Sequence, residues 1–411
     1  MLPLPLPLQG IRVLDLSRVL SGPFCTTTLA DLGAEVIKIE RPEGDDTRHF
    51  APLVNGESAY FLSVNRNKRS VVVDMKSDEG KATIWELIAR SDVVVENFRP
   101  GALERLGFGW EELHRRYPSV ILVSISGYGQ SGPLAHRPGY DLIAQGEGGL
   151  MAVTGEMDGP PVKAGFSVAD VGAGMWAVIG TLSALMARGQ SGQGDHVDVS
   201  LLETVVSWQT YFAGAALIAG STPQRLGSAH QNVAPYQSFE ASDGYFNLAV
   251  GNDALWPKFC ALLDGVSDGE RWYRAPEYAT NNLRMQMRER LVEQLNRIFR
   301  AKPRSYWLEL FQNAGIPAGS VDSIAEVARN PQVLAREMIA YVEHPIVGKM
   351  PVVRTPITFS ELRLAQPEAP PLLGADTERV LSELQQRRSS PEAQSDAAEQ
   401  EGKEGDREPR I

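Results

Sequence analysis

Short apolar runs alternate with amphipathic stretches through the first half of the chain. Ile11–Leu16 (IRVLDL) reads as a buried strand and Ser17–Pro23 as a turn. Phe24–Leu32 reads as a short helix closed by Gly33, and Glu35–Glu40 (EVIKIE) as a second strand. Val71–Asp74, a helix over Ser77–Arg90 and Asp92–Glu96 (DVVVE) repeat the unit. A helix over Trp110–Tyr117 and the strand Ser119–Ser126 repeat it again. Strand–helix–strand in series predicts a parallel sheet, here an open α/β sheet of Rossmann-like topology. Beyond Gly189–Gly194, Asp195–Ser200 reads as a strand and Leu201–Ile218 as one long helix. Later come strands near Gln237–Phe239 and Tyr245–Val250, then helices near Leu255–Leu263, Arg284–Phe299 and Ser305–Ala314. A short turn of helix ends at Asn330 and another helix follows Pro331. Ile346–Leu362 reads as extended.

The stretch Pro138–Leu185 stands out from this rhythm. Gly146, Gly148 and Gly149 lead through a Pro-Pro turn to Ser167-Val168-Ala169-Asp170, and a long apolar run rich in Gly and Ala follows at once. Asp170 therefore falls at a loop-to-helix junction. One reading is an N-cap, an aspartate accepting the first free N–H groups of the helix, worth about 1 kcal/mol. The other is a carboxylate nucleophile with backbone N–H groups nearby to hold an oxyanion. A cap alone does not call for the three glycines, the Gly139-Tyr140-Asp141 triplet and the Pro-Pro turn upstream.

Charge and composition narrow the chemistry. The chain has 411 residues, 40 basic and 51 acidic, a net charge of −11. Its length suits two domains. The acidic balance disfavours nucleic acid or an anionic membrane as the main partner. Cys25 and Cys260 stand far apart, and the six histidines lack metal-ligand spacing, so neither a disulfide framework nor a metal site is expected. The opening MLPLPLPLQG lacks a basic n-region and is interrupted by prolines, so it reads as neither a secretion signal nor a mitochondrial targeting helix. No apolar run reaches roughly 18–20 residues without polar interruption, so no membrane span is expected. A cytoplasmic enzyme is the resulting expectation.

The turn after the first strand, SRVLSGPF, lacks the G-x-G-x-x-G dinucleotide fingerprint. That disfavours a nucleotide-binding dehydrogenase, the alternative such a sheet raises. The loops after the strands instead carry cations: Arg18, Arg41, Arg48, the Asn65–Arg69 cluster, Lys76, Arg99 and Arg105, with Arg137 before Tyr140. Ligands of open α/β sheets bind at the carboxyl ends of strands, and cations gathered there suit a phosphorylated ligand.

The blocks LQGIRVLDLSRVLSGP, LGAEVIKIERPEGDDTR, NRNKRSVVVDMK, VVVENFRPGALERLGFG, GYGQSGP, PGYD, the VAD of Asp170 and APPLLGADT occur in this order. From Leu8 to about Leu384 the chain resembles the class III (CaiB/BaiF-type) CoA-transferases. The variant around Gly227–Tyr236 (GSAHQNVAPY) looks like the succinyl-CoA:glutarate, or dicarboxylate, branch. The resemblance implies that Asp170 attacks an acyl-CoA thioester. The reaction then passes through a mixed anhydride and an aspartyl-CoA thioester, with CoA thioester as substrate and no tightly bound cofactor or metal. Arg41, Val73, Lys76, Asn97, Phe98, Arg99, Arg105, Arg137 and Tyr140 match positions that contact CoA in the family. Tyr140 also shapes the acyl pocket, and His230, or Arg225 beside it, could meet a second substrate carboxylate.

The resemblance also implies an interlocked homodimer of subunits with a large CoA-binding domain and a smaller α+β domain. The expected boundaries are 8–205 for the large domain, 206–224 for a linker, 225–335 for the small domain and 336–384 for a return to the large one. Residues 385–411, without large apolar side chains before Ile411, read as a disordered tail. Two departures from relatives matter. Leu20 stands where the formyl-CoA branch has a glutamine, which speaks against oxalate as acceptor. Tyr140 stands where the 2-methylacyl-CoA racemases have a histidine. A phenol of pKa about 10 shuttles an α-proton poorly, so the racemase alternative is disfavoured.

Overall fold

The computed structural model describes residues 4–267 and 269–388. Elements in the first stretch are β1 (Arg12–Asp15), α1 (Ser21–Asp31), β2 (Glu35–Glu40), the hairpin strands β3 (Leu53–Val54) and β4 (Glu57–Ser58), and α2 (Ala59–Ser63). There follow β5 (Lys68–Val72), α3 (Asp78–Ile88), β6 (Val93–Glu96), α4 (Ala102–Leu106), α5 (Trp110–Arg116), β7 (Ile121–Ser126), α6 (Asp141–Glu147), α7 (Leu150–Val153), α8 (Val168–Ser191), β8 (His196–Ser200) and α9 (Leu201–Ser207). Six strands form one sheet in the order β5-β2-β1-β6-β7-β8, every pair parallel. Counted within the sheet alone, that is 3-2-1-4-5-6, the doubly wound order, with its reversal between β1 and β6.

Strands β6 and β7 are buried along their whole length, which is why they read as unbroken apolar runs rather than alternating ones. One face of the sheet, with Leu14, Ile37, Val71, Val94 and Leu122, packs on Ile84, Leu87 and Ile88 of α3 and on Phe108. Helix α3 starts cleanly: the Ser77 hydroxyl caps the Gly80 N–H, and Asp78 and Glu79 fill the first turn. Helix α1 begins at Ser21, three residues before the expected start. Pro23 sits in its first turn, where a missing N–H costs nothing.

Helix α8 is the long element of the fold. By length and composition alone it could cross a membrane, although Asp170 and Arg188 interrupt its apolar run. Here it packs along α1, α9, β7 and β8. Small residues allow that approach. A Cβ on Gly174 would lie 2.7 Å from the Ser21 carbonyl oxygen, and one on Gly172 would lie 2.3 Å from the Trp208 ring.

The remaining described elements are α10 (Tyr211–Ala213), β9 (Tyr236–Ala241), β10 (Gly244–Ala249), α11 (Leu255–Leu263), α12 (Asn281–Gln286), α13 (Arg288–Phe299), α14 (Arg304–Asn313), β11 (Ala318–Ser320), α15 (Ile324–Val327), α16 (Pro331–Ala335), β12 (Ile339–His344), β13 (Gly348–Val353) and α17 (Thr377–Arg388). The chain divides into two compact units. One holds the chain up to Gly148, Gly165–Trp208 and the chain from Leu334, and the other holds Gly149–Ala164 and Gln209–Val333. The second unit is built on the antiparallel sheet β11-β10-β9. Its core joins Phe239, Phe246, Phe259, Phe299, Trp307 and Phe311.

Several expected elements shift. The third strand of the sheet runs over Lys68–Val72, not Val71–Asp74, because Lys68 finds a buried partner. The single helix expected over Leu201–Ile218 breaks at Thr210, whose φ is +41°, and resumes as α10 and a π-helical turn, Gly214–Ile218. The helix expected over Arg284–Phe299 is two, α12 and α13, meeting at Met287. The extended Ile346–Leu362 contains a hairpin strand, β13, paired with β12. Helix α17 continues to Arg388, past the expected start of the tail at Gln385. The rest of that expected tail, 389–411, lies outside the described residues.

Candidate active site

The reversal of strand order opens a crevice at the carboxyl ends of β1 and β6, the place where open α/β sheets bind ligands. The loop after β1 (Arg18, Val19, Leu20), the loop after β6 (Asn97, Phe98, Arg99) and the start of α8 (Asp170) line a cleft of about 210 Å³ together with Arg137 and Tyr140. A second cleft continues from it over β2 and β5, lined by Arg41, Val73, Met75 and Lys76. Arg18, Asp46 and Phe98 belong to both.

A buried charge network holds the loop after β1. Asp15, Lys38, Lys68 and Asp45 are all buried. Lys68 Nζ lies 3.1 Å from Asp15, and Lys38 Nζ lies 3.0 Å from Asp45. Lys38 also donates to the Ser17 carbonyl at 2.9 Å, and Asp15 accepts the Ser17 N–H at 3.0 Å. Burial pushes the Asp45 carboxyl up, but Lys38 and the hydrogen bonds from Thr47 outweigh it and bring the group down to about 2. Ionised Asp45 then accepts the Val19 N–H at 3.2 Å. Val19 has φ of +68°, unfavourable for a β-branched residue, so this contact helps keep a strained turn in place.

The loop after β6 has its own anchor. Buried Glu96 accepts the Phe98 N–H at 2.7 Å. Its carboxyl is raised to about 7, mainly by burial, against the hydrogen bonds from Ser124 and Phe98.

Asp170 lies in the first turn of α8, the third residue of the helix, and is not its cap. Ser167 occupies the cap position without a side-chain bond. The capping atom comes from another helix: Oδ1 of Asp141 accepts the Ala169 N–H at 2.9 Å and reaches the Asp170 N–H at 3.5 Å. With the capping function filled by Asp141, the half-buried Asp170 carboxyl faces the cleft. Burial first and the Asp141 charge second raise it to about 7. A carboxylate held this way is a stronger nucleophile than a solvated one and is still substantially ionised near neutral pH.

Asp141 and Tyr60 join the site without having been expected as functional side chains. The Tyr60 hydroxyl, on α2, is raised to about 12, first by burial and then by the charges of Asp170, Asp45 and Asp141. It therefore stays a neutral hydrogen-bond donor close to the reactive carboxyl. The PGYD block held the signal for Asp141; no local pattern marks Tyr60.

The residues expected to contact the ligand divide into groups. Arg99, Arg137, Asn97, Phe98 and Tyr140 meet Asp170 in the first cleft, and Arg41, Val73 and Lys76 meet in the second. Arg105 is exposed on α4 and lines neither. Arg137 is paired with Glu147 at 2.8 Å, and Arg41 with Asp46. Arg99 and Lys76 are exposed and carry no ion pair among the described residues. Asn97 is occupied by the Arg18 backbone, accepting its N–H at 2.9 Å and donating to its carbonyl at 2.7 Å.

The Asn65–Arg69 cations, expected in a ligand loop, serve the fold. Arg66 is buried against Asp31, Lys68 against Asp15, and Arg69 pairs with Glu35 at 2.7 Å. Arg48 is likewise held by Glu40 at 2.7 Å. In the second unit, His230 lines a cavity with Tyr211 and Tyr236. Its Nδ1 accepts the Asn232 N–H at 3.0 Å. Arg225 donates to the backbone carbonyls of Glu156, Met157 and Gly159, so it closes a turn within that unit. Among the described residues no group of three or more His, Cys, Asp and Glu side chains is arranged to hold a metal ion.

Comparison with known proteins bears on this geometry. Residues 8–377 match the model of CoA-transferase family III. The succinyl-CoA:glutarate CoA-transferase of Mus musculus is 42% identical over 383 residues, 92% of this chain and 86% of its own. The succinate–glutarate CoA-transferase of Agrobacterium fabrum is 40% identical over 389 residues, 92% of this chain and 96% of its own. Among solved structures, a CaiB/BaiF family protein from Brucella suis superposes with a TM-score of 0.84 at 39% identity, covering 92% of this chain and all of that one.

Proposed function

The chain belongs to CoA-transferase family III, and from that premise we propose that it moves CoA from succinyl-CoA to a second dicarboxylate such as glutarate, with Asp170 as nucleophile. The observation that carries the reading is Asp170 itself, a half-buried, hard-to-ionise carboxyl at the sheet's switch point in a cleft edged by Arg18, Arg99 and Arg137. The identity to transferases named for succinate and glutarate supports the substrate pair.

The Asp170 carboxylate oxygen attacks the thioester carbonyl of the donor. The C–S bond breaks and CoA leaves as thiolate, giving a mixed anhydride. The thiolate sulfur then attacks the aspartyl carbonyl and expels succinate, which leaves CoA on Asp170 as a thioester. The acceptor carboxylate attacks this thioester, and the two steps run in reverse to release acceptor-CoA and the free carboxylate. Each step exchanges one activated acyl group for another, and shielding from water keeps the anhydride from hydrolysis.

The second cleft, with Arg41, Val73 and Lys76, takes the adenosine phosphate end of CoA, and Phe98, at the junction of the clefts, packs on the pantetheine arm. Arg99 meets the diphosphate, and Arg105, exposed on the neighbouring helix, reaches the phosphates from outside. Tyr140 closes over the acyl group. In the second unit, Nδ1 of His230 accepts an N–H, so its Nε2 carries the proton and is the atom that can donate to a carboxylate.

The working form is an interlocked homodimer. Supporting it, Met175, Trp176, Ile179 and Met186 present an exposed apolar face along α8, more than a monomer's surface helix ordinarily carries. The free cysteines Cys25 and Cys260 suit a reducing compartment, the cytoplasm.

Incubation with succinyl-CoA, followed by digestion and mass spectrometry, tests the reading. A CoA adduct on the Asp170 peptide, absent from Asp170→Ala, is the expected result. An unmodified Asp170 peptide with every short diacyl-CoA tried overturns it.

A further inference from the structure

Asp141 is the structural neighbour of Asp170 and shares none of its expected chemistry. It is only 9% exposed. Both of its oxygens are engaged: Oδ1 accepts the Ala169 N–H at 2.9 Å and, more weakly, the Asp170 N–H at 3.5 Å, while Oδ2 accepts Gln145 Nε2 at 2.6 Å. No cation pairs with it among the described residues. Buried carboxylates are ordinarily paired, and this one is stabilised by N–H dipoles alone. An asparagine, of the same length and shape, would accept the Ala169 N–H as well. The charge is therefore an extra, and it lies against the residue that must itself become an anion to react.

We propose that Asp141 is a positioning residue that sets how readily Asp170 is acylated. It fixes the first turn of α8 and repels the free Asp170 carboxylate while leaving the neutral acyl forms of Asp170 undisturbed. This rests on Asp170 being the nucleophile. The physical basis is the charge of each state. The free carboxylate carries a negative charge beside Asp141. The mixed anhydride and the thioester carry none on the aspartyl group. Like-charge repulsion therefore raises only the starting state, and the equilibrium E–COO⁻ + RCO–SCoA ⇌ E–CO–SCoA + RCOO⁻ moves to the right. The same repulsion opposes ionisation, so acidity and acylation shift together.

Other titratable and charged groups on the elements packed against α8 do not replace it, Glu147 of α6 being tied to Arg137. Helix α1 brings Cys25 and Asp31, the latter tied to Arg66. Helix α9 brings Glu203, bonded to the Ser200 hydroxyl, and β8 brings His196 and Asp198. Tyr60 of α2 stays neutral, and the cleft adds Arg18, Asp46, Arg99, Arg137 and Tyr140. Of these and Asp141, Asp141 is the one whose charge acts on the ionisation of Asp170.

The test compares wild type with Asp141→Asn, which keeps an acceptor of the same reach for the Ala169 N–H and removes the charge, and with Asp141→Ser, which removes the charge and shortens the side chain. Two quantities are read: the acid limb of kcat/KM for succinyl-CoA, and the fraction of Asp170 held as CoA thioester at a fixed succinyl-CoA to succinate ratio at pH 8. The expected result is an acid limb about one pH unit lower and a thioester equilibrium constant about tenfold smaller. An unmoved limb with an unchanged thioester fraction overturns the proposal and leaves Asp141 as a cap only. A wild type that forms no Asp170 adduct sinks the nucleophile instead, so the two failures are distinct. If neither variant folds, ¹³C-carboxyl NMR of wild-type protein decides. The aspartate signal lost in Asp170→Asn should titrate above pH 6 and show a second inflection as its carboxylate neighbour titrates, and a single-step titration overturns the proposal.

Discussion

Asn97 and Arg18 are joined by two hydrogen bonds: the side-chain oxygen of Asn97 accepts the Arg18 N–H at 2.9 Å, and its amide nitrogen donates to the Arg18 carbonyl at 2.7 Å. The two residues follow β1 and β6, the strands between which the sheet reverses its order. One side chain thus ties together both walls of the crevice that the topology opens. Asn97→Ala removes both bonds and leaves polar backbone atoms without these partners, a loss of about 1–3 kcal/mol. The melting temperature should fall and KM for acyl-CoA should rise, with the Asp170 adduct still able to form. Asn97→Asp restores only the acceptor and should recover part of each. Full recovery of KM by Asp, or none of the expected changes in Ala, would show that the clasp does not shape the cleft.

Arg99 and Lys76 are the exposed cations of the two clefts without an ion pair among the described residues. Their charges are available to a phosphate without first breaking an internal contact. Arg99→Ala should raise KM for acyl-CoA about tenfold, the worth of one charge-assisted hydrogen bond, with kcat nearly unchanged. Arg48→Ala should instead lower stability, because that guanidinium is held by Glu40 and stacks 3.6 Å over Phe61. Initial rates against acyl-CoA concentration at two ionic strengths separate the cases: the Arg99 variant should lose part of the salt dependence of KM.

Buried Lys38 links the strand β2 to the reactive loop through Asp45 and the Ser17 carbonyl. Lys38→Met fills the volume but leaves Asp45 buried with no cation, a loss of about 3–5 kcal/mol. Denaturant unfolding should register that drop. The double variant Lys38→Met with Asp45→Asn should recover much of it, since both charges are then gone. A single variant as stable as wild type would remove the network from the account of how Val19 is held.

Much of the large sheet was readable because its strands are buried on both faces and its helices are amphipathic; EVIKIE and DVVVE admit little else. The strand Lys68–Val72 was misplaced for a physical reason. Its first residues are cations, which local patterning assigns to solvent, and Lys68 is buried only because Asp15, 53 positions earlier, meets it. The same non-local pairing hid the fate of Arg48 and Arg66. Asp170 was legible through the small-residue helix that follows it, but the cap of that helix comes from Asp141, 29 positions before Asp170, and no spacing rule joins them. Tyr60 was invisible because nothing in SAYFLS departs from an ordinary short helix.

The strained ionisation of Asp170 carries a cost in stability whose sign is fixed. Its carboxyl is raised from 3.8 to about 7 in the fold, by burial and then by Asp141. Between those values the folded chain keeps a proton that the unfolded chain has released. Stability from this group therefore falls as pH rises from about 4 to about 7 and is level above that. Asp170→Asn cannot ionise and escapes the fall. It should be more stable than wild type at pH 8 by on the order of 2 kcal/mol, discounting the full shift for the partial exposure of the group. At pH 5 the gap should be much smaller. Calorimetry of both proteins at the two pH values checks this, in the absence of CoA, which would add its own binding energy to the wild type. An equal gap at both pH values would mean that the substitution acts through packing or hydrogen bonding, and that Asp170 ionises in the free enzyme like any exposed aspartate.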